Sequence, residues 1–166
     1  MTVIDVGAST GGFTDVCLTH GATKVYAVDV GHGQLAWKIR NDDRVIVLEK
    51  TNARYLSEEQ VPEQANLIVC DASFIGLQTV LPAPMSLAAK GCVLMALIKP
   101  QFEVGKGKVG KGGVVREPEL HKEVCDKIEN WITDDMTGWT VIGITQSPIK
   151  GPEGNIEFLI GARYDG

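Results

Sequence analysis

Two charged residues, Asp71 and Lys99, stand where a site for proton or group transfer can be assembled. Asp71 ends the apolar run "NLIVCD" and Lys99 ends the run "CVLMALIK", so both are predicted at the ends of buried strands. Ligands of open parallel sheets bind beyond the carboxyl ends of the strands, where these two residues supply an acid and a base. A helix cap for Asp71 and a solvated lysine for Lys99 are the structural alternatives, but the pair together favours function.

A third charge, Glu157, lies in "GNIEFLIG" with Ile156 and Phe158 on either side. A carboxylate in an apolar strand is unfavourable unless it is paired, and Lys99 is the partner that we expect. The alternative is that Glu157 faces outward on an antiparallel edge strand.

The segment "GASTGG" (residues 7–12) predicts a nucleotide site, because it follows the strand "TVIDV" and opens a helix. Its backbone N–H groups would face a ligand at the helix N-terminus. Ala8 and Ser9 depart from the dinucleotide fingerprint G-x-G-x-x-G. Asp29, in "KVYAVDV", stands where an acidic side chain can bind ribose hydroxyls. The alternative is a glycine turn that only allows helix and strand to pack closely.

A second glycine-rich segment, "GKGKVGKG" (residues 105–112), matches the dinucleotide fingerprint and nearly matches a phosphate-binding P-loop. Its context contradicts both, because Gly112 stands where Ser or Thr would bind magnesium and the next helix begins only near Glu117. Residues 99–116 carry a net charge of +4, whereas the rest of the chain carries −9. We therefore expect a basic loop that closes over the site or contacts a phosphate backbone.

Short apolar runs alternate with helical periods along the chain, which predicts an α/β fold. Strands are expected over residues 2–6, 24–30, 44–49, 66–71, 92–99, 139–147 and 156–164. Helices are expected over residues 12–20 and 34–40, in a region broken at Pro82 and Pro84, and from Pro118 onward. Only "PIKGPEGN" separates the last two strands, so they must pair antiparallel. The result is a mostly parallel seven-stranded sheet with a C-terminal antiparallel hairpin and helices on both faces.

Length and composition fit one globular domain: 166 residues, 44% hydrophobic and 22% charged. No apolar run is long enough for a membrane helix and no secretory leader is present, so we expect a cytoplasmic protein. The four cysteines form no C-x-x-C pair and the three histidines are far apart, so neither a metal site nor a disulfide is expected.

Five segments together resemble the TlyA/hemolysin A family of FtsJ-like methyltransferases: "DVGASTGGFTD", "VYAVDVGHGQLAWKIR", "CDASFI", "LIKPQFEVGK" and "GNIEFL". The resemblance runs from about Val3 to Tyr164. It implies a Rossmann-like class I methyltransferase fold with S-adenosylmethionine as the methyl donor. It also implies methylation of ribose 2′-hydroxyls in ribosomal RNA, with the RNA or a ribosomal subunit as partner. Several members carry the name hemolysin.

The resemblance also implies roles for individual residues. FtsJ-like enzymes use a Lys-Asp-Lys-Glu set, and Asp71, Lys99 and Glu157 match its last three members. Lys99 would be the base or hydrogen-bond orienter for the attacking hydroxyl, held by Asp71 on one side and Glu157 on the other. The first lysine and an S4 RNA-binding domain would precede the "DVGAS" strand. We therefore expect residues 1–166 to be a methyltransferase domain that lacks its N-terminal start.

Two further sets of contacts follow from the same resemblance. Donor contacts are expected from the glycine segment and the strand ends: Asp5, Gly7, Ala8, Ser9, Thr10, Gly11, Gly12, Phe13, Asp29, Val30, Thr51, Asn52 and Asp71. RNA contacts are expected from the basic loop: Lys106, Lys108, Lys111 and Arg116.

Three other functions stay open at this point. A domain that binds the donor without transferring methyl groups would follow from the lysine missing upstream. A pore-forming toxin is suggested only by the name hemolysin, without a membrane span or a strongly amphipathic basic helix in support. A nicotinamide dehydrogenase would need the fingerprint that "GASTGG" lacks and a catalytic His–Asp pair that the sequence does not show.

Overall fold

A computed structural model describes residues 1–166 apart from the side chain of Lys106, and it contains one seven-stranded sheet. The strands are β1 Thr2–Val6, β2 Lys24–Val28, β3 Val45–Leu48, β4 Ala65–Cys70, β5 Ala88–Ile98, β6 Trp139–Gln146 and β7 Phe158–Tyr164. Their order across the sheet is β3-β2-β1-β4-β5-β7-β6. Strands β1 to β5 pair in parallel, whereas β7 pairs antiparallel with both β5 and β6. The predicted mixed sheet with an antiparallel C-terminal part is confirmed.

Six α-helices connect the strands: α1 Gly12–Thr19, α2 Trp37–Arg40, α3 Leu77–Val80, α4 Pro82–Met85, α5 Pro100–Glu103 and α6 Pro118–Asp135. Single 3₁₀ turns lie at Ala53–Tyr55, Lys106–Lys108, Lys111–Gly113 and Pro152–Gly154. Among the helices of the described chain, none combines the length and the apolar character needed to cross a bilayer.

Both faces of the sheet are buried, which explains why the central strands are continuous apolar runs. On β1, Val3 packs with Cys17 and Leu18 of α1 on one face. The next residue, Ile4, belongs to the larger core on the other face, which includes Ile128 of α6. This alternation is the two-residue period of a strand, and it confirms helices on both faces.

Three local predictions are wrong in whole or in part. The helix expected over residues 34–40 begins only at Trp37, because Ala36 is extended and donates its N–H to the Thr10 carbonyl. The helical region is interrupted before Pro82 as predicted, because α3 ends at Val80 and α4 begins at Pro82, but Pro84 does not break α4 and lies in its first turn, where a missing N–H is tolerated. Glu157 lies outside a strand, because β7 begins at Phe158.

Candidate active site

Lys99 and Asp71 meet at the carboxyl ends of the neighbouring strands β5 and β4. The Lys99 ammonium nitrogen lies 2.5 Å from Asp71 Oδ1 and donates a hydrogen bond to Ser73 Oγ at 3.1 Å. The Lys99 side chain is only 10% exposed, whereas Asp71 is 41% exposed. An ammonium has three donors, so these contacts engage two of them and orient the third. The cation is thereby fixed in a water-poor position beside a carboxylate that reaches solvent.

Glu157 is buried beside this pair but does not contact Lys99 as expected. Its Oε2 accepts a hydrogen bond from Gln101 Nε2 at 3.0 Å, and Lys99 is paired with Asp71. Glu157 packs over Gly151, where any side chain would overlap the carboxylate. The predicted Lys99–Glu157 ion pair is therefore wrong, because the segment before β7 directs Glu157 toward the neutral amide of Gln101.

A cavity of about 460 Å³ opens next to Asp71, at the carboxyl ends of β1, β2 and β4. Seven of the predicted donor residues line it: Gly7, Ser9, Asp29, Val30, Thr51, Asn52 and Asp71. The segment after β4 closes another side with residues 72–75. The cavity thus brings the glycine loop, the acidic end of β2 and the charged pair to one place.

Asp29 is oriented by two backbone amides at this cavity. Ser9 N–H donates to Asp29 Oδ2 at 2.7 Å and Gly31 N–H donates to Oδ1 at 2.8 Å. Ser9 holds a left-handed φ of 51°, an uncommon conformation for a residue with a side chain. Each carboxylate oxygen can accept a further hydrogen bond, so Asp29 can bind hydroxyl groups in the cavity.

The other predicted donor residues do not line this cavity: Asp5, Ala8, Thr10, Gly11, Gly12 and Phe13. Ala8 is buried in a cluster with Leu35 and Ile39, and the backbone of Gly11 lies against the same two side chains. The chain turns away from the cavity after Ser9 and continues into α1. Ala8 and Gly11 therefore support the loop from behind, whereas Thr10, Gly12 and Phe13 are exposed.

Asp5 is fully buried beneath the loop. Its Oδ2 accepts a hydrogen bond from the Thr14 hydroxyl at 2.6 Å, and its Oδ1 has no hydrogen-bond partner among the described residues. Burial raises the pKa of Asp5 to about 6; the hydrogen bond from Thr14 opposes this rise, and the charges of Asp71 and Asp29 add to it. Asp5 is thus a structural carboxylate whose ionisation above pH 6 opposes folding.

We expect Asp5→Asn to stabilise the protein at pH 8 by up to about 3 kcal/mol, with little gain near pH 4. The folded protein holds the Asp5 proton more tightly than the unfolded chain, whose pKa is near the ordinary 3.8. The stability from that proton is complete below pH 3.8 and is lost as the pH rises through about 6. Urea unfolding at both pH values measures the difference.

Asp15→Asn, at an exposed position on α1, is the matched control and should change little at either pH. An equal effect of Asp5→Asn at pH 4 and pH 8 would contradict the assignment of the raised pKa to Asp5.

The described cations of the predicted RNA-binding loop lie at the surface. Lys108, Lys111 and Arg116 are exposed. The ammonium nitrogen of Lys108 lies 3.6 Å from Oε1 of Glu123 on α6. Lys106 was predicted with them, but its side chain lies outside the described part of the chain.

Four side chains in or next to the site were missed by sequence reasoning: Ser73 and Phe74 beside the charged pair, Gln101 against Glu157, and Asn155 in the segment before Glu157. Phe74 is 89% exposed at a left-handed φ of 65°, and its ring centroid lies 4.9 Å from that of Phe102. Ser73 and Phe74 follow Asp71 within the quoted segment "CDASFI". Both residues would have been identified if the three residues that follow each strand had been considered together with the last residue of the strand. Gln101 and Asn155 are uncharged and had no comparable signal.

Comparison with known proteins identifies the family to which this chain belongs. A family model described as FtsJ-like methyltransferase matches residues 1–164. The chain belongs to this family. The match covers the glycine loop, the cavity and all three charged residues, and it confirms the family resemblance predicted from the five segments.

Individual relatives agree with this membership. The chain is 49% identical over 160 residues to the 16S/23S rRNA (cytidine-2′-O)-methyltransferase TlyA of Mycobacterium tuberculosis, covering 96% of this chain and 59% of that protein. This FtsJ-like chain thus spans about three fifths of the length of that curated relative.

Solved structures show the same fold. A crystal structure of a suspected hemolysin from Lactococcus lactis superposes with a TM-score of 0.93 at 45% identity, over 99% of this chain and 78% of that one. The N-methyltransferase NodS from Bradyrhizobium japonicum superposes with a TM-score of 0.64 at 14% identity, over 99% of this chain and 86% of that one. The second likeness shows the fold alone, and it confirms the predicted Rossmann-like methyltransferase architecture.

Proposed function

We propose that this chain is the methyl-transfer domain of an enzyme that methylates ribose 2′-hydroxyls of ribosomal RNA, using S-adenosylmethionine. The observation that carries the proposal is the buried Lys99, fixed by Asp71 and Ser73 at the edge of the cavity, in a chain of the FtsJ-like family. The name of the M. tuberculosis relative supports ribosomal RNA as substrate. The proposal includes a cytoplasmic location and the RNA or a ribosomal subunit as partner.

The residues around the cavity fit the donor. Apolar side chains such as Val28, Val30 and Val80 form a wall against which an adenine ring can pack. Asp29 offers two oriented oxygens to the hydroxyls of a ribose. When bound, S-adenosylmethionine supplies a methyl group activated by a sulfonium sulfur. Asp71 lines the same cavity and thereby connects donor binding with the position of Lys99.

Lys99 would act on the acceptor hydroxyl. A ribose hydroxyl is a weak nucleophile at neutral pH, so it must be aligned and must lose its proton as the new C–O bond forms. The remaining donor of the Lys99 ammonium can hold the oxygen and stabilise its developing negative charge. Asp71 is partly exposed, so the released proton can leave past its carboxylate to solvent.

The surface around the site fits RNA. The exposed cations Lys108, Lys111 and Arg116 lie on the loop that follows β5, where they can contact phosphates. Phe74 lies on the rim of the cavity, close to Lys99 through Ser73. Exposed aromatic rings bind unstacked bases, so Phe74 offers a surface for the base whose ribose is methylated.

We expect Phe74→Ala to lower kcat/KM for the RNA by an amount equivalent to about 1–3 kcal/mol, because one base-stacking surface is lost. Phe74→Tyr keeps the ring and should retain most of the activity. Steady-state methyl transfer at varied RNA concentration measures both variants. Equal losses for alanine and tyrosine would show that the ring does not stack on a base.

The proposed function is tested by transfer of a labelled methyl group from S-adenosylmethionine to ribosomal RNA, with the protein as its gene encodes it. Deproteinised RNA and isolated ribosomal subunits are offered as separate substrates. Calorimetric titration of the donor is measured in parallel. Donor binding with transfer to at least one substrate supports the proposal. Donor binding without transfer to any of them would identify a donor-binding domain without activity and overturn it.

A further inference from the structure

A buried asparagine, Asn155, connects the basic loop, within residues 99–116, with the segment that carries Glu157, residues 151–157. It is only 2% exposed. Its Oδ1 accepts a hydrogen bond from Val115 N–H at 3.0 Å, while its Nδ2 donates to the carbonyls of Gly113 at 2.9 Å and Pro152 at 3.0 Å. Both amide hydrogens are therefore used, and they bind two separate stretches of backbone.

The basic loop is fixed at the point where Asn155 contacts it. Val115 is buried, and its carbonyl accepts a hydrogen bond from His121 Nε2 of α6 at 2.8 Å. One turn earlier, Gly110 N–H donates to the Val114 carbonyl at 2.8 Å. Lys111 and Arg116 flank this fixed stretch, so the position of both cations depends on where Gly113 and Val115 are held.

The same segment also places Glu157. Gly151 N–H donates to the Asn155 carbonyl at 2.8 Å, and Gly151 packs against the Glu157 carboxylate. On its other side, Glu157 accepts the hydrogen bond from Gln101, which follows Lys99 by two residues. Residues 151–157 are thus tied to the chain after β5 at two points, one near Lys99 and one at the basic loop.

We propose that Asn155 is a positioning residue for ribose methylation. It holds Lys111 and Arg116 of the basic loop and the carboxylate of Glu157 in one fixed arrangement. Phosphates bound to the loop then set the position of the ribose relative to Lys99. The inference rests on the proposed function, because it assumes that the basic loop contacts RNA. Neither stretch that Asn155 joins belongs to the sheet, and both lead to the charged site.

A double-mutant cycle tests this role. Lys111→Ala removes one cation, and in an otherwise wild-type protein it is expected to lower kcat/KM for the RNA several-fold. With Asn155→Ala already present, the cation is no longer aligned, so the added loss from Lys111→Ala should fall to within about twofold. Lys90→Ala, an exposed cation on β5, is the control and should have no effect in either background. Additive losses from Asn155→Ala and Lys111→Ala would overturn the proposal.

Two measurements that do not depend on methyl transfer accompany the cycle. Donor affinity of Asn155→Ala should equal that of the natural sequence, which shows that the fold is intact. Hydrogen exchange at the Val115 amide should rise, because its acceptor is removed; unchanged exchange would overturn the proposal. If Asn155→Ala fails to bind the donor, the cycle is carried out with Asn155→Ser, which keeps a small polar side chain.

These outcomes separate the inference from the proposed function. If the wild-type protein binds the donor but methylates no RNA, the proposed function is contradicted, whatever the rate of hydrogen exchange at the Val115 amide. If the wild-type protein methylates RNA but the losses from Asn155→Ala and Lys111→Ala are additive, only the role of Asn155 is contradicted.

Discussion

Lys99→Met is expected to lower methyl transfer about a thousandfold while leaving donor affinity nearly unchanged. The Lys99 ammonium is held by Asp71 and Ser73 at the edge of the cavity, but Lys99 itself does not line the cavity that fits the donor. Methionine fills a similar volume at this buried position, and the partly exposed Asp71 can regain water. The loss should therefore fall on the chemical step, which single-turnover transfer at saturating donor and RNA measures.

Lys90→Met is the matched control, because Lys90 is an exposed lysine near the other end of the same strand. It should transfer methyl groups at the rate of the natural sequence. If Lys99→Met retained transfer within about tenfold of the natural rate, Lys99 would not be the residue that orients the hydroxyl.

Gly7→Ala is expected to have the second large effect, on both stability and donor binding. Gly7 has a φ of 77°, and a Cβ built there lies 2.6 Å from the Asp71 carbonyl oxygen and 2.9 Å from its carbon. Both contacts are with backbone, so relief requires β1 and β4 to move apart at the charged pair. Together with the left-handed strain, we expect a loss of roughly 2–4 kcal/mol in the free energy of unfolding.

Urea unfolding and calorimetric titration with S-adenosylmethionine measure the two effects of Gly7→Ala. Gly12→Ala is the control within the same glycine segment. A Cβ at Gly12 meets no atom within 4 Å, and the residue begins α1, so its stability should change by no more than about 1 kcal/mol. Equal effects of the two substitutions would show that the close approach of Gly7 to Asp71 does not matter.

Much of the fold was predictable because the apolar pattern is regular. Apolar runs with β-branched residues mark β1 to β5, and the short "PIKGPEGN" connection forces the last pair to be antiparallel. Local exceptions arose where tertiary contacts override the pattern. Residues 34–36 look helical, but Leu35 packs against Gly11 and Ala36 binds the Thr10 backbone, which keeps the chain extended.

Most of the charged residues of the site were also predictable from the sequence. The strand-end rule placed Asp29, Asp71 and Lys99 at one edge, and the structure brings them to one cavity edge. The rule could not separate these carboxylates from Asp5, which a hydrogen bond from Thr14 holds within the core. It also gave Glu157 a charged partner, whereas the partner is the neutral Gln101.

The central claim is methylation of a ribose oxygen, and alkaline hydrolysis of the labelled RNA tests it most directly. Alkali cleaves RNA through attack of the 2′-hydroxyl on the neighbouring phosphate, so a 2′-O-methyl group protects the bond that follows it. Ribosomal RNA incubated with the protein and methyl-labelled S-adenosylmethionine should carry its label in alkali-stable dinucleotides, and Lys99→Met should form this label about a thousandfold more slowly. Label recovered only in mononucleotides would show methylation of a base and contradict the account.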